Sequence, residues 1–311
     1  MSDLSARAGA PHGTGVPAAP AGTTPLTHVL LTRFNLPSKG HESIVRAKEN
    51  WLRDRVSLFE RYCLPTVLGQ SEQSFTWIVY LDPQSPGWLM DWVRGHEAQR
   101  HFHPVLREEV PRRVLLADIQ AITGSDGRGD LLTTNLDNDD GLARDFIARL
   151  QSAPTAGDPT AVYLGDGLII SGERLYRRTD PHNAFCSVRE SWRDPVTCWS
   201  EWHNRLPELM PAVVLRGAPG WLQVVHGANV SNRVRGRRTP PAPYRPAFPR
   251  LLDEVADPGR ADLLREAAQV PLRQFRELAR AGVKAAVVRL LGKDGLDRAK
   301  HRWASVGGRH A

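Results

Sequence analysis

The chain has 311 residues, 41% of them hydrophobic, and a formal net charge of +7. That length allows one large α/β domain or a catalytic domain with an appendage, because single cores stop growing at about 250–300 residues. No stretch approaches the ~18 consecutive apolar residues of a membrane span, and three cysteines (Cys63, Cys186 and Cys198) with no C-x-x-C pair argue against a disulfide framework or a zinc ribbon.

A reducing cytoplasm fits that cysteine usage. Residues 1–25 are small residues with Gly and Pro, lacking the charged start and apolar centre of a secretion signal, and read as a disordered leader. The basic character is local: residues 271–311 hold ten Lys/Arg against three acids, and 231–250 hold six Arg and no acid, so the rest of the chain is net negative. Such patches seek phosphate-rich partners.

In chain order, His28–Arg33 (HVLLTR) is a short apolar run that suits a buried first strand. From Ser43 the residues Ile44, Trp51, Leu52, Val56, Phe59 and Cys63 fall at helical spacing, and Pro65 is expected to stop the helix. Phe75–Leu81 (FTWIVYL) has the β-branched and aromatic bias of a buried strand. Strand, helix, strand predicts a parallel sheet. A further strand over Asp130–Leu136 runs into Asp137-Asn138-Asp139-Asp140-Gly141, after which Leu142, Phe146, Ile147 and Leu150 predict a helix. Short strands are expected at Val162–Leu164, Leu168–Ile170, Phe185–Val188, Val213–Leu215 and Trp221–His226, then a Pro/Arg-rich loop or linker from Arg233 to Arg250 and a helical segment over 261–291.

Three carboxylates within four residues repel one another unless protons or a cation neutralise them, and hard cations such as Mg²⁺ or Mn²⁺ take oxygen ligands. In open α/β sheets the C-terminal strand edge is where ligands bind, so the acidic loop is the candidate site. The alternative is ordinary helix-start chemistry, since Asp and Asn cap helices and suit the positive end of the dipole.

The segment LLTTNLDNDDGL resembles the L-D-x-D-D form of the D-x-D region in a rhamnosyltransferase family of GT-A-type glycosyltransferases. LLTRFN (30–35), FTWIVYLD (75–82), PHNAFCSVRES (181–191) and WLQVVHGANVS (221–231) fit the same family in order, so the resemblance spans roughly residues 28–235. It implies an α/β GT-A (nucleotide-diphospho-sugar transferase, Rossmann-like) catalytic domain over 26–250; residues 251–311, which lie outside the resemblance, read from their own pattern as a basic helical extension. It also implies a nucleotide-sugar donor, a glycan or lipid-linked acceptor and a divalent metal.

Carried over residue by residue, Asp137, Asp139 and Asp140 match the metal-binding motif, with Asp139 or Asp140 the direct metal ligand and Asp137 then facing the ribose or the metal's waters. Asp82 matches a nucleoside-contacting acid, though an Asp before Pro83 is equally a turn former. Thr32, Arg33 and Asn35 would cradle the base. His226 matches a histidine given to the metal or diphosphate, and Arg233 and Arg235 could clamp the leaving diphosphate bidentately. An inverting transferase needs a general base. Glu190 is the first candidate, with Trp192 beside it as a sugar platform, and Asp166 the second; a surface ion pair is the plainer account of either.

Two other classes compete. A metal-dependent phosphoesterase would also cluster carboxylates, but the chain has no H-x-D, H-E-x-x-H or D-x-D-x-T pattern. A nucleic-acid-binding module could use the basic C-terminus, yet no zinc-finger, K-homology or RNA-recognition signature is present, so no nucleic acid is expected as partner. Residues 272–291 interleave apolar and basic side chains, as in a helix lying peripherally on the inner face of an anionic membrane, or one packed on the catalytic domain.

Overall fold

The structure, a computed structural model, describes residues 25–37, 50–226, 234–259 and 261. Strand β1 (Leu26–Arg33) is the hub of a seven-stranded sheet. It runs parallel to β2 (Thr76–Leu81) on one side and β4 (Asp130–Asn135) on the other, and β3 (His103–Leu106) adds a parallel edge beyond β2. Beyond β4 the antiparallel β9 (Ser187–Ser191) is followed by β6 (Thr160–Leu164) and β10 (Ala212–Leu215), giving the order β10-β6-β9-β4-β1-β2-β3. This is the α/β class expected, and the runs HVLLTR, FTWIVYL and DLLTTNL are strands for the reason anticipated: both faces are covered, so they are apolar almost throughout.

The register matters for function. Leu31 lies opposite Asn135, and Arg33 opposite Tyr80, so β1, β2 and β4 end at one edge and deliver Arg33, Asp82 and the acidic loop there together. Crossover helices α3 (Gly87–Ala98) and α4 (Arg112–Thr123) cover opposite faces. The first closes over an aromatic cluster in which Phe59 packs on Phe34, Trp77 and Phe102 at centroid distances of 5.4–5.8 Å. The second buries Leu115 and Ile119 against Ile78, Tyr80 and Leu131. Neither helix nor edge strand β3, which opens on His-Pro, stands out in the pass along the sequence.

Two expectations are corrected. Pro65 does not end its helix: α1 (Trp51–Leu58) passes through a π-helical turn at Phe59–Cys63 into α2 (Leu64–Leu68). The wide turn, closed by Leu64 N–H to Phe59 O, places Pro65 in the first turn of α2, where an N–H would have no intrahelical partner anyway. The helix expected directly after Gly141 begins later. Gly141–Leu142 is a short strand, β5, and α5 spans Phe146–Gln151. The acidic loop therefore joins two strands, and its aspartates do not cap a helix.

Strand β5 belongs to a five-stranded sheet of order β12-β8-β7-β11-β5, made with β7 (Asp166–Ser171), β8 (Arg174–Thr179), β11 (Trp221–Val224) and β12 (Arg237–Arg238). The Arg-rich β8 (RLYRRT) has too few apolar positions to announce itself. The Pro/Arg-rich stretch packs in its second half, where Phe248 joins Leu251, Leu252 and Val255 in a cluster with Leu168, Ile170 and Leu222. The segment over 262–311, with its helical and membrane-surface expectations, and the leader over 1–24 lie outside the described residues.

The two sheets meet around Trp221, which stacks on Phe185 at 5.1 Å and donates its indole N–H to Leu164 O at 2.8 Å. Its ring lies so close to Gly167 that a Cβ there would sit 2.1 Å from the indole. Gly167→Ala is expected to lower the stability of the fold by roughly 1–3 kcal/mol through overpacking, measured as a reduced midpoint in urea unfolding.

Candidate active site

Each aspartate of the loop has its own solution to the crowding. Asp137 opens towards a cavity of about 530 Å³, and Asn135 Nδ2 lies 3.4 Å from its Oδ1. The surrounding protein, and then the charge of Asp139, push its pKa up. Asp139 is buried, which works against its charge, but a hydrogen bond with His226 and the Arg55 guanidinium hold its pKa below the ordinary value. His226 Nε2 lies 3.0 Å from Asp139 Oδ2, and Arg55 Nη1 pairs with the same oxygen. Asp140 is 1% exposed. Its Oδ1 accepts the Val224 N–H at 2.8 Å, while Oδ2 is buried with no hydrogen-bond partner. Burial, then the charges of Asp139 and Asp137, push its pKa well above the ordinary carboxylate value.

Asn138 fastens the loop to β1, donating from Nδ2 to Phe34 O at 2.5 Å and accepting from Arg55 Nη1 at 3.3 Å. Arg55 is the functional residue that the sequence pass missed. It lies four residues from both Trp51 and Phe59, which are buried, so it is a charge on the apolar stripe of its helix; that was a legible signal for a buried partner.

The cavity beside Asp137 is lined by Arg33, Arg178, Arg235 and His203, with Asp180, Glu201, Trp199 and Trp202. Arg33 lies over the Trp199 ring with its guanidinium carbon 4.0 Å from the centroid, and the Trp199 indole N–H donates to Asn135 Oδ1 at 2.8 Å. Thus Arg33, Asp137 and Arg235 line one cavity, and His226 lies beside the acidic loop through Asp139. Arg233 lies outside the described residues.

The other candidates are placed elsewhere. Thr32 is buried and accepts the Trp77 indole N–H at 3.0 Å. Asn35 is a brace between strand ends, accepting the Asp82 N–H at 3.1 Å and donating to Ser85 Oγ at 2.9 Å. Asp82 accepts the Gln84 N–H at 2.7 Å, the turn-forming alternative, and does not border the cavity.

Neither candidate base borders it. Glu190 is 4% exposed, and its two oxygens accept the N–H groups of Val196 and Thr197 at 2.7 and 2.8 Å. Asp166 is 3% exposed, with Oδ1 taken by the Thr179 hydroxyl at 2.6 Å and Oδ2 by Arg216 Nε and Gly217 N–H, both at 3.0 Å. Both fasten loops: a strand-end carboxylate facing several donors cannot also point into the cleft. Trp192 packs against a core cluster and is no platform. Among the described residues no three His, Cys, Asp or Glu side chains are arranged as a ready-made metal site, and no helix is long and apolar enough to cross a membrane.

An acidic loop at the end of a central parallel strand thus opens on an arginine-lined cavity. A family model described as "Putative rhamnosyl transferase" matches residues 27–238, and the chain belongs to that family. Among solved structures the chain is similar to Staphylococcus aureus TarS 1–349, at 9% identity and TM-score 0.37, with 64% of this chain and 60% of that one covered. It is also similar to a "putative nucleotide-diphospho-sugar transferase" from Desulfovibrio desulfuricans G20, at 9% identity and TM-score 0.30, with 64% and 81% covered. The alignment thus spans less than two thirds of the TarS chain. No curated protein sequence matches.

Two outcomes follow from this geometry. Arg55→Ala leaves Asp139 with one partner fewer in a buried setting and is expected to cost about 3 kcal/mol, as breaking a buried pair does, read from chemical denaturation. Glu190 has its pKa pushed by burial from 4.5 to about 7 in the fold, against the pull of its two N–H donors. A raised folded pKa means that its contribution is complete below 4.5 and is lost as pH rises through about 7. Glu190→Gln should abolish that decline in a stability–pH profile and, below that window, cost about 1–3 kcal/mol because an amide donor then faces a backbone N–H.

Proposed function

We propose that the protein transfers a sugar, rhamnose by the family's description, from a nucleotide-diphosphate donor to a hydroxyl of a glycan or lipid-linked acceptor, with inversion and with a divalent cation, Mg²⁺ or Mn²⁺. One observation carries this: the acidic loop opens through Asp137 into the cavity that Arg33, Arg178 and Arg235 line. The arginines suit a diphosphate, since guanidinium pairs with phosphate oxygens in a bidentate fork.

The residues fit the cation. The donor set is hard oxygen from Asp137 and Asp139 with His226 adjacent, and the partnerless Asp140 Oδ2 marks a place short of positive charge. Mg²⁺ is commonly held by one or two carboxylates with substrate phosphates supplying further ligands, so a closed protein cage is not required. Bound there, it would neutralise charge on the departing nucleoside diphosphate. Arg55 fixes Asp139, and Asn138 keeps the loop at the end of β1.

The acceptor hydroxyl needs a base within reach. Because Glu190 and Asp166 serve loops, that role falls to a carboxylate on the cavity wall, Asp180 or Glu201. A cytoplasmic location and a peripheral contact between residues 271–311 and an anionic membrane accompany this proposal, on the strength of the sequence alone.

Calorimetric titration of UDP, GDP and dTDP with and without Mn²⁺ tests it. At least one nucleotide should bind with the cation and lose most of its affinity in EDTA, and Asp137→Asn should lose turnover by roughly the 10²–10³-fold that removing one electrostatic stabiliser costs. Equal binding of every nucleotide in EDTA, together with a fully active Asp137→Asn enzyme, would sink the metal-dependent mechanism.

A further inference from the structure

Of the large apolar side chains that stand out as exposed among the described residues, Leu68, Leu106, Leu209 and Trp202, only Trp202 borders the cavity, and at 72% it is the most exposed. The segment that carries it is firmly held. Upstream, Trp199 is pinned by Asn135 and covered by Arg33. Downstream, the Tyr163 hydroxyl donates to His203 O at 2.6 Å, the His203 ring donates from Nδ1 to His182 O at 2.5 Å, and the Arg205 N–H returns to Trp202 O at 2.8 Å. Glu201 is braced by Arg205 Nη1 at 3.1 Å. The backbone is therefore set, while the indole is left facing water.

A fixed, exposed indole at the lip of a polar cavity loses little conformational freedom when a ligand covers it, and it gains the burial of its ring. Asp180, Glu201, His203 and Gln223 line the same cavity and offer hydrogen-bond partners there. A flat apolar face edged by polar groups complements a pyranose ring, which has an axial C–H face and a belt of hydroxyls. A bare acyl chain would leave those groups unmatched.

From this we infer that Trp202 is the platform of the acceptor subsite, on which the sugar ring that receives the transferred residue stacks, its hydroxyl turned toward the carboxylates of the cavity wall. This rests on the glycosyltransferase mechanism proposed above. It also assigns a substrate class: the acceptor presents a sugar ring at the point of attachment, whatever carries that sugar.

The test uses the full chain labelled with 5-fluorotryptophan, in which the ¹⁹F resonance missing from Trp202→Phe identifies Trp202. Methyl glycosides of hexoses, deoxyhexoses and amino sugars are titrated in the presence of Mn²⁺ and each nucleoside diphosphate. The Trp202 resonance should move saturably with at least one glycoside, and Trp202→Ala, with an unchanged melting transition, should bind that glycoside roughly tenfold more weakly. The inference is overturned if the Trp202 resonance ignores every glycoside, or if Trp202→Ala binds as the wild type does. Nucleotides that perturb no resonance would instead overturn the donor mechanism, and a saturable glycoside shift would then still leave a sugar site at Trp202.

Discussion

Crowding of Asp137, Asp139 and Asp140 at the end of β4 is the constraint around which the catalytic edge is organised. Three like charges in one short loop would drive it apart or into solvent, and the fold prevents both by giving each carboxylate a different environment. Asp137 is left to the cavity, Asp139 is held by Arg55 and His226, and Asp140 is buried against the Val224 N–H. Those partners come from α1, from the end of β11 and from β11 itself. The loop can thus be ordered only when the helix before β2 and the second sheet are both in place, which makes the site a product of the whole domain.

The wide turn at Phe59–Cys63 takes on meaning in that light. It puts Tyr62 O 3.2 Å from where a Cβ on Gly141 would be, and Leu251 closes from the other side at 2.9 Å. Gly141 is the residue after the last aspartate, so the same close approach that seats β5 also limits how far the acidic loop can shift. The Thr66 hydroxyl reaches back to Tyr62 O at 3.0 Å and Cys63 O at 2.7 Å, satisfying carbonyls that an unbroken α-helix would have used.

How much of this could be read from the chain depends on the range of the interaction. The central strands were legible because burial on both faces leaves a continuous apolar run, and the acidic motif because its residues are adjacent. Of the residues that the family resemblance singles out, Arg33, Asp137 and Arg235 line one cavity, and His226 lies against Asp139. What failed was the assignment of individual carboxylates to chemistry. Glu190 and Asp166 end up as acceptors for backbone donors in loops that follow them, at separations of six and seven residues for Glu190 and of fifty and fifty-one for Arg216 and Gly217 with Asp166. A buried carboxylate is attractive to either role, and only the direction of its oxygens separates them. Arg55 shows the converse: one charge on an apolar helical stripe was visible, but its partner, eighty-four residues on, was not.

The cavity draws its charged groups from two parts of the chain. The ends of β1 and β4 present Arg33 and Asp137, with Asn135, Asn138 and Trp199 anchoring them. The other charged lining residues come from segments that arrive later in the chain, β8 with Arg178 and Asp180 just after it, Glu201, and Arg235. Arg178 and Asp180 pair with each other at 3.3 Å, and Glu201 pairs with Arg205, so these two carboxylates are oriented by neighbouring guanidinium groups. Such surface-side pairs add little stability. Their consequence is positional: they orient two acids that line the same cavity as Asp137.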